Sequence, residues 1–273
     1  MNSTSPLFYS DLKDHIRRDK RLTVHLAGHS LELDLSFKHE RAYAAKLMLN
    51  LRLPQSDLDE FLFKRFVKPG DTVLDAGANI GFTTSQMLSA GASKVIALEP
   101  VPELFERLRQ LNGGAVVALN KALSSNTGKA SLILSKSHNQ GSTLHPNMVT
   151  LFPSVFDGTS HTISVALTTI DEIALEHGSF DVWKLDVEGA ELDALQGATR
   201  TLKDAPPRAI IVELYPPFLE RFLSLASATH SFVYRACIRW DTYELVLAPW
   251  NTEIGAEFYA ASAMYVFTSE EQT

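Results

Sequence analysis

Only one cysteine, Cys237, occurs in 273 residues. A single thiol excludes an internal disulfide and a thiolate metal cluster, and it fits a reducing compartment. Cys237 lies in the strand-like run Phe232–Ile238, where a packed thiol is expected. No stretch approaches 18 uninterrupted apolar residues, so no helical membrane span is expected. The opening residues Met1 to Pro6 lack a cationic start followed by an apolar run, which leads us to expect a cytoplasmic protein. Positive charge is also scarce: 25 Lys and Arg stand against 32 Asp and Glu, for a net charge of −7. That balance argues against a broad nucleic-acid surface, which relies on clustered Lys and Arg. The one basic cluster, Ile16 to Arg21, is interrupted by Asp19 and reads as a solvated helix end. Internal repeats and low-complexity tracts are missing too. What remains is a globular composition, 45% hydrophobic and 21% charged, sufficient for one large domain or for a domain plus an extension.

Against that background the segment Thr72-Val73-Leu74-Asp75-Ala76-Gly77-Ala78-Asn79-Ile80-Gly81 stands out. It reads as a buried parallel strand running into a glycine turn that opens a helix, with Gly77 and Gly81 allowing the backbone to approach a ligand. Asp75 selects among ligands. A carboxylate just ahead of the first glycine repels a pyrophosphate on the helix N-terminus but pairs with an ammonium or a ribose hydroxyl. Asn79 also occupies the place of the second glycine in the dinucleotide fingerprint. S-adenosylmethionine, with an α-amino group and no phosphate, therefore fits better than a nicotinamide dinucleotide. About twenty residues on, Lys94-Val95-Ile96-Ala97-Leu98-Glu99-Pro100 repeats the pattern. At the end of a second strand, Glu99 suits the two ribose hydroxyls, with capping of the helix that begins near Pro102 as the alternative.

Periodicity organises the rest. Leu22–Leu26 and Leu31–Leu35 alternate around a turn and predict a hairpin. Helical spacing follows over Glu40–Leu51 and again from Leu58 to Phe66. Residues 1–68 are thus expected as a hairpin and helical extension, and 69–273 as the main domain. Strands are predicted near 72–76, 94–98, 115–119, 181–186 and 208–214, with helices near 80–90, 101–111, 189–203 and 216–228. Lys129–Leu134 reads as an added strand and Ser135–His161 as a long functional loop. The tail reads as strands Phe232–Ile238, Tyr243–Leu247 and Met264–Phe267, which gives the parallel sheet an antiparallel ending.

Reacting groups in such sheets gather at the carboxyl ends of strands. Asp186, at the end of the fourth main strand, is the best-placed acid on the substrate side, and it also borders the cofactor. Glu188 either joins it or caps the following helix; Glu191 lies one turn on. Lys184 shares a strand face with Asp186. Its expected partner is Glu213, the alternative being contact with the reacting hydroxyl. His138, His145 and His161 have no zinc spacing. His138 is the candidate base among them, with Gly141 and Ser142 placed to bend the backbone over the cofactor. Asp186 with Glu188 is also a conceivable Mg²⁺ pair, but no metal is assigned. Tyr215-Pro216-Pro217-Phe218 imitates the Pro-Pro-aromatic grip of nitrogen methylating enzymes, yet it follows the fifth strand and lacks the leading Asn or Asp. An oxygen acceptor is favoured.

The glycine motif, Asn120-Lys121-Ala122-Leu123-Ser124, Thr168-Thr169-Ile170-Asp171 and Lys184-Leu185-Asp186-Val187-Glu188-Gly189-Ala190-Glu191, with Leu195 and Gly197-Ala198, together resemble the FkbM family of S-adenosylmethionine-dependent methyltransferases. The likeness runs from about Pro69 to Glu213. It implies a Rossmann-like, doubly wound, mostly parallel seven-stranded α/β sheet with an antiparallel C-terminal strand. It also implies O-methylation of a hydroxyl on a sugar, glycan or polyketide, and it sets Pro100, Ala122 and Leu123 beside the nucleoside with Asp75, Gly77, Asn79, Gly81 and Glu99. The histidine at 138 departs from the family pattern. The alternatives are a binding module that holds the donor without turnover, and methylation of a nitrogen or of RNA.

Overall fold

The computed structural model describes residues 21–272 apart from 27, 112, 136–140, 154, 157–159 and 261–262. It opens with an antiparallel hairpin, β1 (Arg21–Leu26) and β2 (His29–Asp34), whose register runs from Arg21↔Asp34 to Leu26↔His29. Alternation turns Val24, Leu31 and Leu33 inward, and all three are buried. Helices α1 (Lys38–Leu49) and α2 (Pro54–Phe66) follow. Pro54 sits in the first turn of α2, where its missing N–H costs nothing, and Asp57 reaches back to accept the Leu53 N–H at 2.8 Å.

Strands and helices then alternate: β3 (Thr72–Ala76), α3 (Phe82–Ala90), β4 (Lys94–Leu98), α4 (Pro102–Leu108) and β5 (Val116–Leu119). Next come β6 (Ala122–Leu123), β7 (Gly128–Leu134), β8 (Ser142–Thr143), α5 (Pro146–Leu151), β9 (His161–Thr168) and α6 (Ile170–His177). The chain continues through β10 (Val182–Leu185), α7 (Glu191–Gln196), α8 (Thr199–Asp204), β11 (Ala209–Glu213) and α9 (Pro216–Ala226). It ends with β12 (Phe232–Arg239), β13 (Leu245–Pro249), β14 (Phe258–Tyr259) and β15 (Met264–Thr268).

The main sheet runs β13-β12-β15-β11-β10-β3-β4-β5, with β14 also paired to β12. Five neighbours, β11 to β5, are mutually parallel, and β15 is antiparallel to β11. Nine strands therefore stand where the family likeness predicts seven, because β13 and β14 add to the edge at β12. Chain order reverses between β3 and β10, and that switch point gathers the carboxyl ends of β3, β4, β10 and β11 along one rim. The strands are buried on both faces. Val73, Val95, Val182 and Ile211 pack with Leu62, Phe63 and Met87 on one side; Leu74, Ile96, Trp183 and Ile210 pack with Ile173, Leu195 and Phe222 on the other. Near-continuous apolar runs are what such two-sided burial demands.

Three expectations need correction. The loop assigned to Ser135–His161 contains α5, and β9 begins at its end. Together with β6, β7 and β8, β9 makes a second, four-stranded sheet that the sequence reading lacks. The helix expected over 189–203 is two helices separated by Gly197 and Ala198, and Gly197 sits so close to the Ser124 carbonyl that a Cβ would lie 2.3 Å from its oxygen.

Candidate active site

The turn after β3 is built from its own hydrogen bonds. Gly77 and Ala78 donate to the Leu98 carbonyl at 3.1 and 2.9 Å, Asn79 donates to Glu99 Oε2 at 2.9 Å, Ile80 to Asn79 Oδ1 at 2.9 Å, and Gly81 to the Ala78 carbonyl at 2.8 Å. All five N–H groups are thereby committed. A pyrophosphate needs such groups free, so this turn offers it no backbone donors. Gly77 and Gly81 both hold positive φ, 80° and 90°, but neighbouring protein also forbids them a side chain. A Cβ at Gly77 would fall 1.9 Å from the Asp186 carbonyl oxygen, and one at Gly81 would fall 2.2 Å from Leu111. Gly81 thus serves the packing of α3 and is not on the cleft wall.

Glu99 is nearly closed off, 4% exposed. Besides the Asn79 N–H on Oε2, Oε1 accepts the Val101 N–H at 2.8 Å, so the carboxylate does hold the start of α4 as well as bordering the cleft. Burial pushes its carboxyl up to about 7 even though both backbone bonds oppose the shift. Asn120 fixes the same strand end by donating to the Glu99 and Pro100 carbonyls at 2.9 and 3.0 Å. This gives the first residue of one family-like motif a physical task. Asp171, from another, accepts from the Arg200 and Thr201 N–H groups and the Thr201 hydroxyl, tying α6 to α8.

Lys184 is 2% exposed and does not pair with Glu213. Its Nζ lies 3.7 Å from Asp75 Oδ1 and 3.2 Å from Asp186 Oδ2, and it donates to the Gly77 carbonyl at 3.4 Å. Register explains the correction: Lys184 stands beside Asp75 on one side and Ile211 on the other, so Glu213 is two residues further along β11, about 7 Å away along the strand. Burial pulls the ammonium toward neutrality, but Asp186, Asp75 and Asp59 outweigh it and raise its pKa above the ordinary value. Asp75, wholly buried, accepts from the Thr83 and Thr84 hydroxyls at 3.0 and 2.6 Å. It therefore lies behind the turn and off the cleft wall, which corrects its place among the ligand-facing residues.

The acid motif divides its labour. Glu191 accepts the Val187 and Gly189 N–H groups at 3.0 and 3.2 Å, so it, and not Glu188, closes the turn before α7. Glu188 takes a left-handed backbone, φ 53°, and no hydrogen bond to its carboxylate is present among the described residues. Burial, then Asp186, Glu213 and Glu191, raise its carboxyl well above the usual range. Glu213, where β11 ends, is likewise pushed up to about 8, first by burial and then by Asp186. Tyr215 donates its hydroxyl to Glu213 at 3.3 Å and packs at a tilt against Phe152, with ring centroids 4.6 Å apart.

These groups line a cleft of about 760 Å³. One wall carries Leu98, Glu99, Pro100, Ala122, Leu123 and Leu132; the other carries Asp186, Glu188 and Glu213, with Gly77, Asn79 and Ser142 also on the lining. An apolar slot beside a buried carboxylate fits an adenosine, and the phosphate-free turn fits a sulfonium donor. Sequence reasoning missed Gln55, Leu132 and Leu144 on the wall, and it gave Glu213 the wrong task. The alternating run Ile163, Val165, Leu167 was the available signal for β9, which anchors β6 and so Ala122 and Leu123. His138 lies outside the described residues. His145 pairs with Asp193 at 2.9 Å, which raises its pKa, and His161 is exposed at the start of β9; neither lines the cleft. Among the described residues, no group of three or more His, Cys, Asp and Glu is arranged to hold a metal, and no helix is long and apolar enough to cross a membrane.

Comparison with known proteins identifies the family. The Methyltransferase FkbM domain profile matches residues 75–237. Hexuronic acid methyltransferase AglP of Haloferax volcanii is 29% identical over 151 residues, 53% of this chain and 56% of that protein's length. The chain therefore spans little more than half of this relative. Among solved structures, an S-adenosylmethionine-dependent methyltransferase from Agrobacterium tumefaciens aligns with TM-score 0.45 and 9% identity, over 92% of this chain and 71% of that one. A TehB-like S-adenosylmethionine-dependent methyltransferase from Corynebacterium glutamicum aligns with TM-score 0.43 and 13% identity, over 85% and 96%. The profile covers more than half of the sequence, and the chain belongs to the FkbM methyltransferase family, whose methyl donor is S-adenosylmethionine.

Proposed function

We propose that this chain is an O-methyltransferase acting on a hydroxyl of a sugar-type acceptor. The observation that carries the reading is the pairing, across one cleft, of a phosphate-free nucleoside wall with three carboxylates whose oxygens are only partly engaged by protein. A relative that methylates hexuronic acid supports the sugar class. In this reading 69–273 is the catalytic domain, and the extension before it closes the cleft with α2, whose Gln55 is on the lining. The net charge of −7 disfavours an RNA acceptor.

The bound donor supplies an electrophilic methyl on sulfur. The wall of Leu98, Pro100, Ala122 and Leu123 would hold the nucleoside, with Glu99 accepting from ribose hydroxyls. Asp186 turns Oδ2 to Lys184, which leaves Oδ1 for the acceptor hydroxyl. Much of the acceleration comes from holding that oxygen in line, and Asp186 removes its proton late in the step with Glu188 beside it. His138 remains a second candidate base.

Asp186→Asn should lower kcat about 10²- to 10⁴-fold with a sugar acceptor while S-adenosylhomocysteine binding changes less than about threefold. Full turnover with intact donor binding would end the role of Asp186 as base.

A further inference from the structure

A second chamber, of about 640 Å³, opens on the far side of the glycine turn and meets the cleft at Gln55, Gly77, Asn79 and Asp186. Helices α1 and α2 cover it. Tyr43 on α1 stacks on Phe82 with ring centroids 3.8 Å apart, and Gln55 and Asp59, one turn apart on α2, face the turn. Ser56 accepts from Gln86 Nε2 at 3.3 Å through both its carbonyl and its hydroxyl, which fixes α2 against α3.

Asp59 is the anomaly in this chamber. Its Oδ1 is shut off from solvent and takes no hydrogen bond among the described residues. Two lysines influence it electrostatically, and each is already committed to two carboxylates. Lys184 serves Asp75 and Asp186; Lys46 bonds Asp57 and lies 2.7 Å from Glu60. Asp59 as a whole is part-buried, but a closed-off carboxylate oxygen with no cation of its own is costly, and desolvation pushes its carboxyl up to about 7. Asp186, with one oxygen spent on Lys184, faces the same space. Three carboxylates, Asp59, Asp75 and Asp186, thus stand around one ammonium, and the chamber calls for a second cation.

The donor reading supplies one. With the nucleoside against Glu99, Ala122 and Leu123, the amino-acid end of the donor would have this chamber to enter, because it adjoins the cleft at Gly77, Asn79 and Asp186. Asp75, expected from sequence to pair with that ammonium, spends Oδ2 on Thr83 and Thr84 and has Lys184 3.7 Å from Oδ1; its Oδ1 takes no hydrogen bond among the described residues either, but Asp75 does not line the chamber and Asp59 does. We propose that Asp59, supplied by the N-terminal extension, is the counter-ion of the donor's α-ammonium. The inference rests on the reading of the cleft as a donor site. It makes Asp59 a binding residue and gives the extension a share in donor recognition.

The test is calorimetric binding of three nucleosides to the wild type and to Asp59→Asn. S-Adenosylhomocysteine carries the ammonium, its deaminated analogue S-adenosyl-4-thiobutyrate lacks only the amino group, and 5′-methylthioadenosine lacks the whole amino-acid end. Charge-assisted hydrogen bonds of about 1.5–3 kcal/mol correspond to a loss of about 10- to 100-fold. Asp59→Asn should weaken S-adenosylhomocysteine by that factor and leave 5′-methylthioadenosine within about twofold, which also shows that the variant is folded. The wild type should lose the same factor on going to the deaminated analogue, and the variant should lose little further. Equal binding of S-adenosylhomocysteine by both proteins overturns the proposal, as does a wild type that fails to distinguish the deaminated analogue. A wild type that binds none of the three would instead overturn the donor reading itself.

Discussion

Glu99 and Glu213 occupy matching places, at the ends of strands on opposite sides of the switch point, yet they are held in opposite ways. Glu99 takes a backbone N–H on each oxygen, and its own carbonyl is clamped by Asn120. Glu213 has one protein partner in reach among the described residues, the Tyr215 hydroxyl at 3.3 Å, and shares its surroundings with Asp186 and Glu188. One wall is thus specified by main chain, whose geometry survives most side-chain changes. The other is specified by side chains that depend on one another and on Lys184. A wall for an invariant donor can be fixed in the backbone, whereas a wall for an acceptor is adjusted residue by residue.

The strongest way to break this contrast is to remove the cation on which the side-chain wall leans. Lys184→Met leaves Asp75 and Asp186 facing each other without compensation and should cost about 3–5 kcal/mol, read as a lower urea midpoint. A loss below about 1 kcal/mol would mean that the acids do not need the ammonium. Next comes the contact that joins the two walls. Gly77→Ala forces a side chain to positive φ and against the Asp186 carbonyl, two strains of about 1–3 kcal/mol each, so a total near 3 kcal/mol is expected in the same experiment. Unchanged stability would show that β3 and β10 can part without harm.

The gentlest test addresses the main-chain wall through pH. Glu99 has its carboxyl raised from 4.5 to about 7, so the folded protein keeps its proton where the unfolded chain has lost it. The associated stability is full below about pH 4.5 and is lost as pH rises through 7. Glu99→Gln should flatten that decline in the ligand-free protein by up to about 1.4 kcal/mol per pH unit. Parallel stability curves for the two proteins would mean that the two backbone bonds keep Glu99 ionised, and the asymmetry between the walls would shrink.

Much of the fold was legible because its signals are local. Strands β3 and β4 are continuous apolar runs ended by acids, and the hairpin at 21–34 alternates cleanly. The second sheet escaped notice although Ile163, Val165 and Leu167 alternate, because the polar residues before them set the reading to loop. In the site, glycine spacing and strand ends led to Gly77, Asn79, Glu99 and Asp186 on the cleft wall. Partnerships were not legible. Strand register decides that Lys184 meets Asp75, and register is a property of the assembled sheet. Asp59 reads as an ordinary acid on an amphipathic helix until α2 is laid across the turn.

Anyone who wishes to cut this chain into exchangeable parts should look at β6. Ala122 and Leu123 line the cleft, yet they pair with Leu167 and Thr168 of β9, which in turn carries β7, and β7 carries β8. The long excursion between β5 and α6 is therefore a cassette whose first strand is already part of the cleft lining. Its natural seams fall after Leu119 and before Ile170, at the ends of the elements that flank it.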